Sequence, residues 1–236
     1  MAQPTQQAQV MSVRPLSPTV RQLVFSPLER KISFRPGQWV SLQLPVGAHP
    51  PLVRAYSMAE PEAPSGQLVL AFDHVPKGLG SGYLFTLKEG DRVVLSGPYG
   101  NFVVPEPLSQ DLIFVARYTG IVPIRCMIKH LFGGALSTKV TLLYGGPSRA
   151  ELIYHDEFTE LASQHNSFRY VATVLDGRQE SDGEHRPEIE LLSSLLGGRK
   201  DILPMICGTK AFVRPLRAYL TEFGFERREI RVETYD

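Results

Sequence analysis

The sequence predicts two domains of different class, a small antiparallel β-barrel followed by an α/β domain with a parallel sheet. Residues 1–106 contain short strand-like segments separated by turn signals, without helical periodicity between them. Residues 107–236 alternate apolar strand-like segments with helical ones, which is the pattern of parallel βαβ units. Pro105 and Pro107 mark the expected boundary between the two domains.

The barrel prediction rests on short segments rich in β-branched and aromatic residues. Residues 39–44 follow the turn signal Pro36-Gly37 and alternate apolar and polar side chains, as a half-buried strand does. Residues 54–57 form a further short strand-like segment. Other strands are predicted at 20–25, 67–72 and 92–95, a short helix at 82–88, and a turn that closes the barrel at 97–102.

The α/β prediction begins with residues 111–116, a continuous apolar run typical of a strand buried on both faces. Parallel sheets of this kind bind ligands beyond the carboxyl ends of their strands. The other strands are predicted at 140–144, 168–175, 202–207 and 229–233, and the helices at 123–132, 157–163, 187–196 and 209–223.

The composition disfavours several classes of function. The chain has 236 residues, with 25 Lys and Arg against 24 Asp and Glu and no basic run interleaved with aromatic residues, so nucleic acid is not an expected partner. Cys126 and Cys207 form no Cys-x-x-Cys, and the six histidines lack metal-ligand spacing, so we expect no bound metal. The few cysteines, the polar N-terminus and the lack of a long apolar stretch favour a cytoplasmic protein without a signal peptide or membrane span.

The segment Arg54-Ala55-Tyr56-Ser57 is the most informative stretch of the chain. On a strand, Arg54 and Tyr56 point one way and Ser57 the other, unless the strand ends there. A guanidinium, an aromatic ring and a hydroxyl at a strand end suit a flavin dinucleotide, because arginine pairs well with a pyrophosphate. An Arg-x-Tyr-Ser match also occurs by chance, so its weight depends on the segments that follow it in order.

Two loops have the composition of phosphate-binding loops. In Gly78-Leu79-Gly80-Ser81-Gly82 the glycines allow close approach of a phosphate, and the serine can cap a helix or bond the ligand; a flexible hairpin loop is the alternative. Thr119-Gly120-Ile121-Val122-Pro123 follows a buried strand and opens a helix, where backbone N–H groups favour an anion such as a pyrophosphate. An ordinary strand–helix turn capped by Thr119 is the alternative there.

Several positions in the second domain are candidates for coenzyme contacts. Cys207 ends an apolar strand at the binding edge of the sheet, where its thiol could lie against a nicotinamide ring; a buried inert cysteine is the alternative. Tyr235 follows the last strand and could be held against a flat ring instead of fraying. Ser148, Arg149 and Arg178 follow strand ends where a 2′-phosphate could bind, although exposed arginines on loops are common.

Taken in order, these features resemble the ferredoxin–NADP⁺ reductase superfamily over nearly the whole chain. The resemblance implies an N-terminal six-stranded barrel that binds FAD and a C-terminal Rossmann-like domain that binds NAD(P). The matching segments are Phe34-Arg35-Pro36-Gly37-Gln38, Arg54-Ala55-Tyr56-Ser57, Gly78-Leu79-Gly80-Ser81, Gly97-Pro98-Tyr99-Gly100-Asn101-Phe102, Thr119-Gly120-Ile121-Val122-Pro123, Tyr144-Gly145-Gly146, Cys207-Gly208 and Glu233-Thr234-Tyr235.

The resemblance also implies roles in the first domain. Arg54 would meet the flavin pyrophosphate, Tyr56 would pack on the flavin and Ser57 would lie near its N5. Gly80 and Ser81 would hold the pyrophosphate from the second loop. The other cofactor-binding residues predicted here are Ala55, Phe72, His74 and Gly78.

In the second domain, the resemblance places Thr119, Gly120 and Cys207 around the nicotinamide. Glu233 would be a proton relay or a charge stabiliser. Tyr235 would stack on the flavin face where the nicotinamide enters, so that its ring must move during the reaction. Ser57, Cys207, Glu233 and Tyr235 are therefore the predicted catalytic residues.

Arg117-Tyr118 departs from the family pattern, which usually has glycines before Thr-Gly. Loss of those glycines could hinder close approach of the dinucleotide, or Arg117 could add a cation for it. Asp236 extends past the usual end at the aromatic residue.

The primary hypothesis is an FAD-dependent NAD(P)H oxidoreductase, with NADPH favoured over NADH. A hydride passes between the nicotinamide and flavin N5, and single electrons pass to or from a separate redox protein such as a ferredoxin, a flavodoxin or an oxygenase component. The direction of electron flow and the oligomeric state stay open. The alternatives are a reductase of a small ferric or quinone acceptor, and a non-catalytic flavin-binding regulatory subunit, which Arg117-Tyr118 motivates.

Overall fold

The computed structural model describes residues 3–47, 49–63, 65–175 and 187–235, without the side chain of Pro187. It divides the chain into two compact units. Unit 1 comprises Met1–Val104 and Val122–Gly134, and unit 2 comprises Pro105–Ile121 and Ala135–Asp236. The segment 122–134 therefore groups with unit 1, although it follows the first strand of unit 2 in the sequence. The domain boundary at residue 106 stays a prediction.

Unit 1 is built on a six-stranded antiparallel sheet with the strand order β4-β3-β6-β1-β2-β5. This confirms the predicted strand number and direction. The strands are β1 Gln6–Pro15, β2 Val20–Pro27, β3 Trp39–Leu44, β4 Leu52–Ser57, β5 Leu68–Asp73 and β6 Arg92–Tyr99, and one helix, α1 Leu79–Thr86, lies between β5 and β6.

The predicted barrel is present as its six-stranded antiparallel sheet, which is not closed between β4 and β5. Among the residues that the structure describes, a single antiparallel bridge joins these strands, from Met58 to Leu70, and the Ala59 N–H donates to the Val69 carbonyl at 2.7 Å. The inner face of β4 is therefore open along most of its length.

The core of unit 1 follows from alternation along the strands. In β3, residues at every second position are fully buried and those between them are half-buried. Buried side chains of this size each stabilise the fold by about 1.5–3 kcal/mol. The buried cluster includes Leu23, Phe25, Leu42, Leu70 and Leu95.

Strand β1 was not predicted, and its sequence shows why. Ala8 and Val10 are buried, but the third buried position of the alternation is Gln6. The Gln6 side-chain carbonyl accepts hydrogen bonds from the N–H groups of Glu29 and Arg30, at 3.3 and 2.9 Å. A polar side chain at an inward position hides the strand pattern from a hydrophobicity count.

Two other predictions in unit 1 shift by several residues. Helix α1 begins at Leu79 and not at 82, so that Gly80, Ser81 and Gly82 lie inside its first turn. The predicted turn at 97–102 begins later, because β6 continues to Tyr99, which pairs with Trp39. In both places tertiary packing outweighs the local preference of glycine and proline for turns.

Unit 2 contains the predicted parallel sheet with helices, in the strand order β11-β10-β7-β8-β9. The strands are β7 Asp111–Arg117, β8 Val140–Gly146, β9 Phe168–Val174, β10 Ile202–Thr209 and β11 Arg231–Tyr235. The helices are α2 Ile121–Phe132, α3 His155–Gln164, α4 Pro187–Leu196 and α5 Lys210–Phe223, and short 3₁₀ turns occupy Tyr118–Gly120 and Arg149–Glu151.

The strand order of unit 2 reverses at its first strand. The chain continues from β7 to β8 and β9 on one side, and then returns to β10 and β11 on the other. In open parallel sheets, ligands bind at such a reversal, outside the carboxyl ends of the two diverging strands. The fold therefore points to the ends of β7 and β10.

Helix α2 is attached to unit 1 by a buried arginine. The Arg125 guanidinium donates to the Ala59 carbonyl and to Glu60 Oε1, both at 2.7 Å, and Lys129 Nζ lies 2.8 Å from Glu60 Oε2. Burial raises the pKa of Glu60, but the bonds from Lys129 and Arg125 outweigh it and hold that pKa below its usual value. Cys126 adds its buried side chain to the core of unit 1.

Across the described part of the chain, none of the helices has the length and apolar character needed to cross a bilayer.

We predict that Arg125→Met lowers the free energy of unfolding by about 2–4 kcal/mol, because a buried guanidinium and its bonds are lost. Lys31→Met is a matched control, since Lys31 forms an exposed pair with Glu62, and it should change stability by less than about 1 kcal/mol. Urea unfolding followed by circular dichroism measures both variants. Equal losses would contradict the anchoring role of Arg125.

Candidate flavin and coenzyme sites

The open edge of unit 1 exposes an arginine on the inner face of the sheet. Arg54 pairs with Leu42 and Tyr56 pairs with Val40, and both partners on β3 are fully buried. Residues directly opposite each other in an antiparallel pair project from the same face. Arg54 nevertheless remains exposed, as do its neighbours Val53 and Ala55, because β5 does not pair along this part of β4.

The first turn of α1 lies beside this arginine. A Cβ at position 80 would lie 3.1 Å from Cδ atoms of Leu44 and Leu52 and 3.7 Å from Cγ of Arg54, so glycine fits here without displacing the two leucine side chains. Gly78 is the N-cap of the helix. The first N–H groups of a helix have no partner within it and attract anions. The structure thus brings Gly78, Gly80 and Arg54 together, as an anion site requires.

Ser81 has a defined role inside the loop. Its Oγ accepts from the Val75 N–H at 3.1 Å and lies 3.3 Å from the carbonyl oxygens of Val75 and Gly78. The hydroxyl therefore fixes the turn that leads into α1. Its contact with a ligand stays a prediction.

The predicted aromatic residues of unit 1 form one cluster. The rings of Tyr56 and Phe72 are 5.5 Å apart, and Phe85 links Phe72, at 6.0 Å, to His74, at 5.0 Å. Burial raises the pKa of Tyr56 to about 12, against the opposing charge of Arg54, so its phenol is neutral. Sequence reasoning missed Phe85, which lies on α1, because nothing in its local pattern separates it from a core residue.

Ser57 lies at the end of β4, where it is buried and pairs with Trp39. Its predicted position near flavin N5 is not tested by this arrangement.

These features together fit a dinucleotide with a flat aromatic group. A guanidinium and a helix N-terminus suit the pyrophosphate. Large apolar side chains of the same region are unusually exposed, with 51% for Val53, 50% for Val75 and 63% for Leu79. Exposed apolar surface next to convergent polar groups is typical of a ligand site. Unit 1 can therefore hold FAD through Arg54 and the start of α1.

In unit 2, the strand reversal brings the predicted turn and the cysteine together. A Cβ at position 120 would lie 2.3 Å from the carbonyl oxygen of Cys207, so Gly120 permits the ends of β7 and β10 to meet. Thr119 and Gly120 form the 3₁₀ turn directly before α2. Tyr118, at the start of this turn, has a φ of 52°, in the left-handed region that glycine adopts more readily.

Cys207 has no exposed surface, and burial raises the pKa of its thiol above the ordinary value, although a hydrogen bond from Tyr235 opposes the shift. The group is therefore a neutral thiol and not a thiolate nucleophile. Glu233 pairs with Cys207 across β10 and β11, and burial also raises the pKa of its carboxyl group. The structure brings Cys207, Glu233 and Tyr235 together, while their catalytic roles stay predictions.

Ser148 and Arg149 follow the carboxyl end of β8, as predicted. Arg149 is exposed, and its charge acts on the phenol of Tyr170, whose oxygen lies 2.9 Å from Nδ1 of His155. Tyr170 and His155 are thus neighbours of the proposed 2′-phosphate region that the sequence did not indicate. Arg178 lies outside the described residues.

The Arg117 guanidinium, which the sequence offered as a cation for the coenzyme, pairs with Glu188 instead. Its Nη2 lies 2.6 Å from Oε2 of Glu188, and the pair is buried, with 11% and 2% of the two side chains exposed. The guanidinium carbon also lies 4.7 Å from the centre of the Phe212 ring. Glu188 is the second residue of α4. The sequence alone did not distinguish it from the solvated acidic residues that are common at helix starts.

No cluster of three or more potential metal ligands occurs in the ranges that the structure describes.

Comparison with known proteins identifies both halves of the chain. The family model of the oxidoreductase FAD-binding domain matches residues 7–104, and that of the oxidoreductase NAD-binding domain matches residues 114–217. Ferredoxin–NADP reductase B of Sorangium cellulosum is 34% identical over 240 residues, which cover 98% of this chain and 97% of that protein.

Two further proteins are similar to this chain along most of its length. The reductase component of phenol 2-monooxygenase from Pseudomonas sp. strain CF600 is 32% identical over 227 residues, covering 93% of this chain and 62% of that protein. The crystal structure of the Amycolatopsis cytochrome P450 reductase GcoB has the same fold, with a TM-score of 0.84 at 24% identity, covering 98% of this chain and 70% of that one. This chain therefore spans less than two thirds of the oxygenase reductase component.

Both family models name the cofactors that the two halves bind, and the Sorangium relative is similar along its whole length. The chain belongs to the ferredoxin–NADP⁺ reductase family of flavoproteins, with FAD and NAD(P)H as its cofactors.

Proposed function

We propose that this NAD(P)H-dependent flavoprotein oxidises NADPH and passes the electrons one at a time to a separate redox protein. The observation that carries the proposal is the pairing of exposed Arg54 with the start of α1 at the open edge of unit 1. When bound, FAD accepts two electrons from a reduced nicotinamide and can release them singly. The chain's own residues bind, orient and shield the reactants.

In unit 1, Arg54 and the N–H groups at Gly80 and Ser81 hold the pyrophosphate by charge-assisted hydrogen bonds, while the Gly78 N–H donates to the Val75 carbonyl and shapes the turn. Tyr56, with Phe72 and His74 behind it, supports the flavin ring as a neutral aromatic surface. We assign Ser57, with Ala55 beside it, to the end of the flavin where N5 lies.

In unit 2, Thr119 and Gly120 offer backbone N–H groups at the strand reversal to the coenzyme phosphates. Cys207, a neutral thiol without exposed surface, meets the nicotinamide only after Tyr235, which bonds to its sulfur, has moved. Glu233 retains its proton to a higher pH than an exposed glutamate, which suits a group that holds or relays a proton. Tyr235 is the aromatic side chain that moves when the nicotinamide enters.

The electron acceptor is a redox protein of the ferredoxin, flavodoxin or oxygenase-component class. The names of the Sorangium and Pseudomonas relatives, a ferredoxin–NADP reductase and a monooxygenase reductase component, support this class. We place the reaction in the cytoplasm, where the reducing environment agrees with the free, buried Cys126 and Cys207.

Anaerobic rapid mixing of the FAD-loaded protein with NADPH and with NADH tests the function directly. Flavin absorbance should bleach with both coenzymes and faster with NADPH. Addition of an oxidised ferredoxin or flavodoxin should then restore the absorbance. Flavin that stays oxidised with both coenzymes would contradict the proposal.

The affinity for FAD should depend on Arg54. Arg54→Ala should raise the dissociation constant of FAD about 10–30-fold, because a charge-assisted pair with the pyrophosphate is lost while the exposed site leaves the fold intact. Arg14→Ala is the control, since Arg14 is exposed on β1 and bonds to Gln22. Fluorescence titration of the apoprotein with FAD measures both. Equal affinity of the two variants would remove Arg54 from the site.

The preference for NADPH should depend on Arg149. Arg149→Ala should raise the KM for NADPH about ten-fold and leave the KM for NADH unchanged, because only NADPH carries the 2′-phosphate. Arg169→Ala, an exposed residue near the amino end of β9, should change neither value. If the wild type prefers NADH and Arg149→Ala changes nothing, the assignment is wrong.

A further inference from the structure

A buried ion pair lies at the carboxyl edge of the unit 2 sheet, and its arginine directly precedes the turn that we assign to coenzyme phosphates. Arg117 Nη2 donates to Glu188 Oε2 at 2.6 Å, and Arg117 Nε donates to Oε1 at 3.3 Å, so two hydrogen bonds join the guanidinium to the carboxylate. Only 2% of the Glu188 side chain is exposed. A charge this deeply buried needs a partner.

The surroundings of the pair hold it in one place. The Thr173 hydroxyl, at the end of β9, donates to Glu188 Oε1 at 3.2 Å. Phe212, in the first turn of α5, supports the guanidinium from one face and packs against Gly208 at the end of β10. A Cβ at position 145 would lie 2.4 Å from Glu188 Oε1, so the end of β8 also closes on the carboxylate. The pair therefore joins four strand ends of the binding edge.

The pair also constrains the turn that follows it. Arg117 is the last residue of β7, and Tyr118 comes next with its left-handed φ of 52°. A non-glycine residue persists in this conformation only where its surroundings determine it. A fixed Arg117 on one side, and the close fit of Gly120 to Cys207 on the other, supply that restraint.

The charge of Glu188 has a consequence for an anionic ligand at the same edge. Without a counter-charge, a buried carboxylate repels a pyrophosphate strongly, because the surrounding protein screens it poorly. A guanidinium committed to Glu188 and stacked on Phe212 is poorly placed to bond the ligand as well.

Resting on the proposed function, we infer that Arg117 is a positioning residue of the coenzyme site. It neutralises Glu188, so that a dianionic pyrophosphate can bind at the turn Tyr118–Gly120, and it does not itself contact the coenzyme. Arg117 and Glu188 thus act as a unit, in which the removal of one charge is compensated by the removal of the other.

A double-mutant cycle on the FAD-loaded protein tests this, with calorimetric titration of NADP⁺, which binds without reducing the flavin. Arg117→Met should weaken binding about ten-fold or more, because it leaves Glu188 unneutralised. The double variant Arg117→Met with Glu188→Gln should recover to within about three-fold of the wild type. Glu188→Gln alone should bind at least as tightly as the wild type, because it removes the negative charge and leaves the guanidinium.

Two further readouts separate positioning from general destabilisation. Arg199→Met is the control, because Arg199 pairs with Asp111 at the opposite, amino end of β7, and its NADP⁺ affinity should not change. In steady-state kinetics, Arg117→Met should raise the KM for NADPH while the kcat at saturation and the flavin spectrum persist.

A double variant as weak as Arg117→Met would overturn the inference and make Arg117 a direct coenzyme ligand. Unchanged affinity in Arg117→Met would also overturn it. If the wild type binds neither NADP⁺ nor NADPH, the proposed function fails and the inference falls with it, so the two failures are distinguishable.

Discussion

The flavin site depends on a sheet that stops one pairing short of closure. In a closed barrel, an arginine on the inner face of β4 would carry its charge into an apolar core at a high energetic cost. In the described part of the chain, β4 and β5 are joined only by the bridge from Met58, which follows β4, to Leu70, so Arg54 stays exposed although its opposite neighbour Leu42 is fully buried. The first turn of α1 lies beside this arginine, since a Cβ at position 80 would be 3.7 Å from Arg54 Cγ.

The coenzyme site depends on a different constraint, the reversal of strand order beside β7. This topology brings the ends of β7 and β10 together, and the close approach of Gly120 to the Cys207 carbonyl shows how tightly they meet. The charges at this edge are paired, because the buried Glu188 carboxylate forms an ion pair with Arg117. Arg117, which stands where the family usually has a glycine, thus has a partner in Glu188 of the same unit.

Much of the fold follows from local pattern, and the exceptions have physical causes. Strand β3 and helix α4 match the predicted bounds because alternation, proline and glycine agree there. Strand β1 was not predicted because the polar Gln6 occupies an inward position. The open sheet edge could not be predicted because closure depends on pairing between segments that are distant in the sequence. Motifs predicted Arg54 and Gly120 as site residues, whereas Glu188 meets Arg117 only through tertiary structure, which no local sequence signal reports.

The central claim is that unit 1 holds one flavin dinucleotide at its open edge. The direct measurement is the flavin content of the purified protein after incubation with excess FAD and removal of unbound cofactor, read from the absorbance spectrum and from the nucleotide released on denaturation. The account predicts one FAD for each chain and a visible flavin spectrum. A colourless protein that takes up no FAD would contradict it.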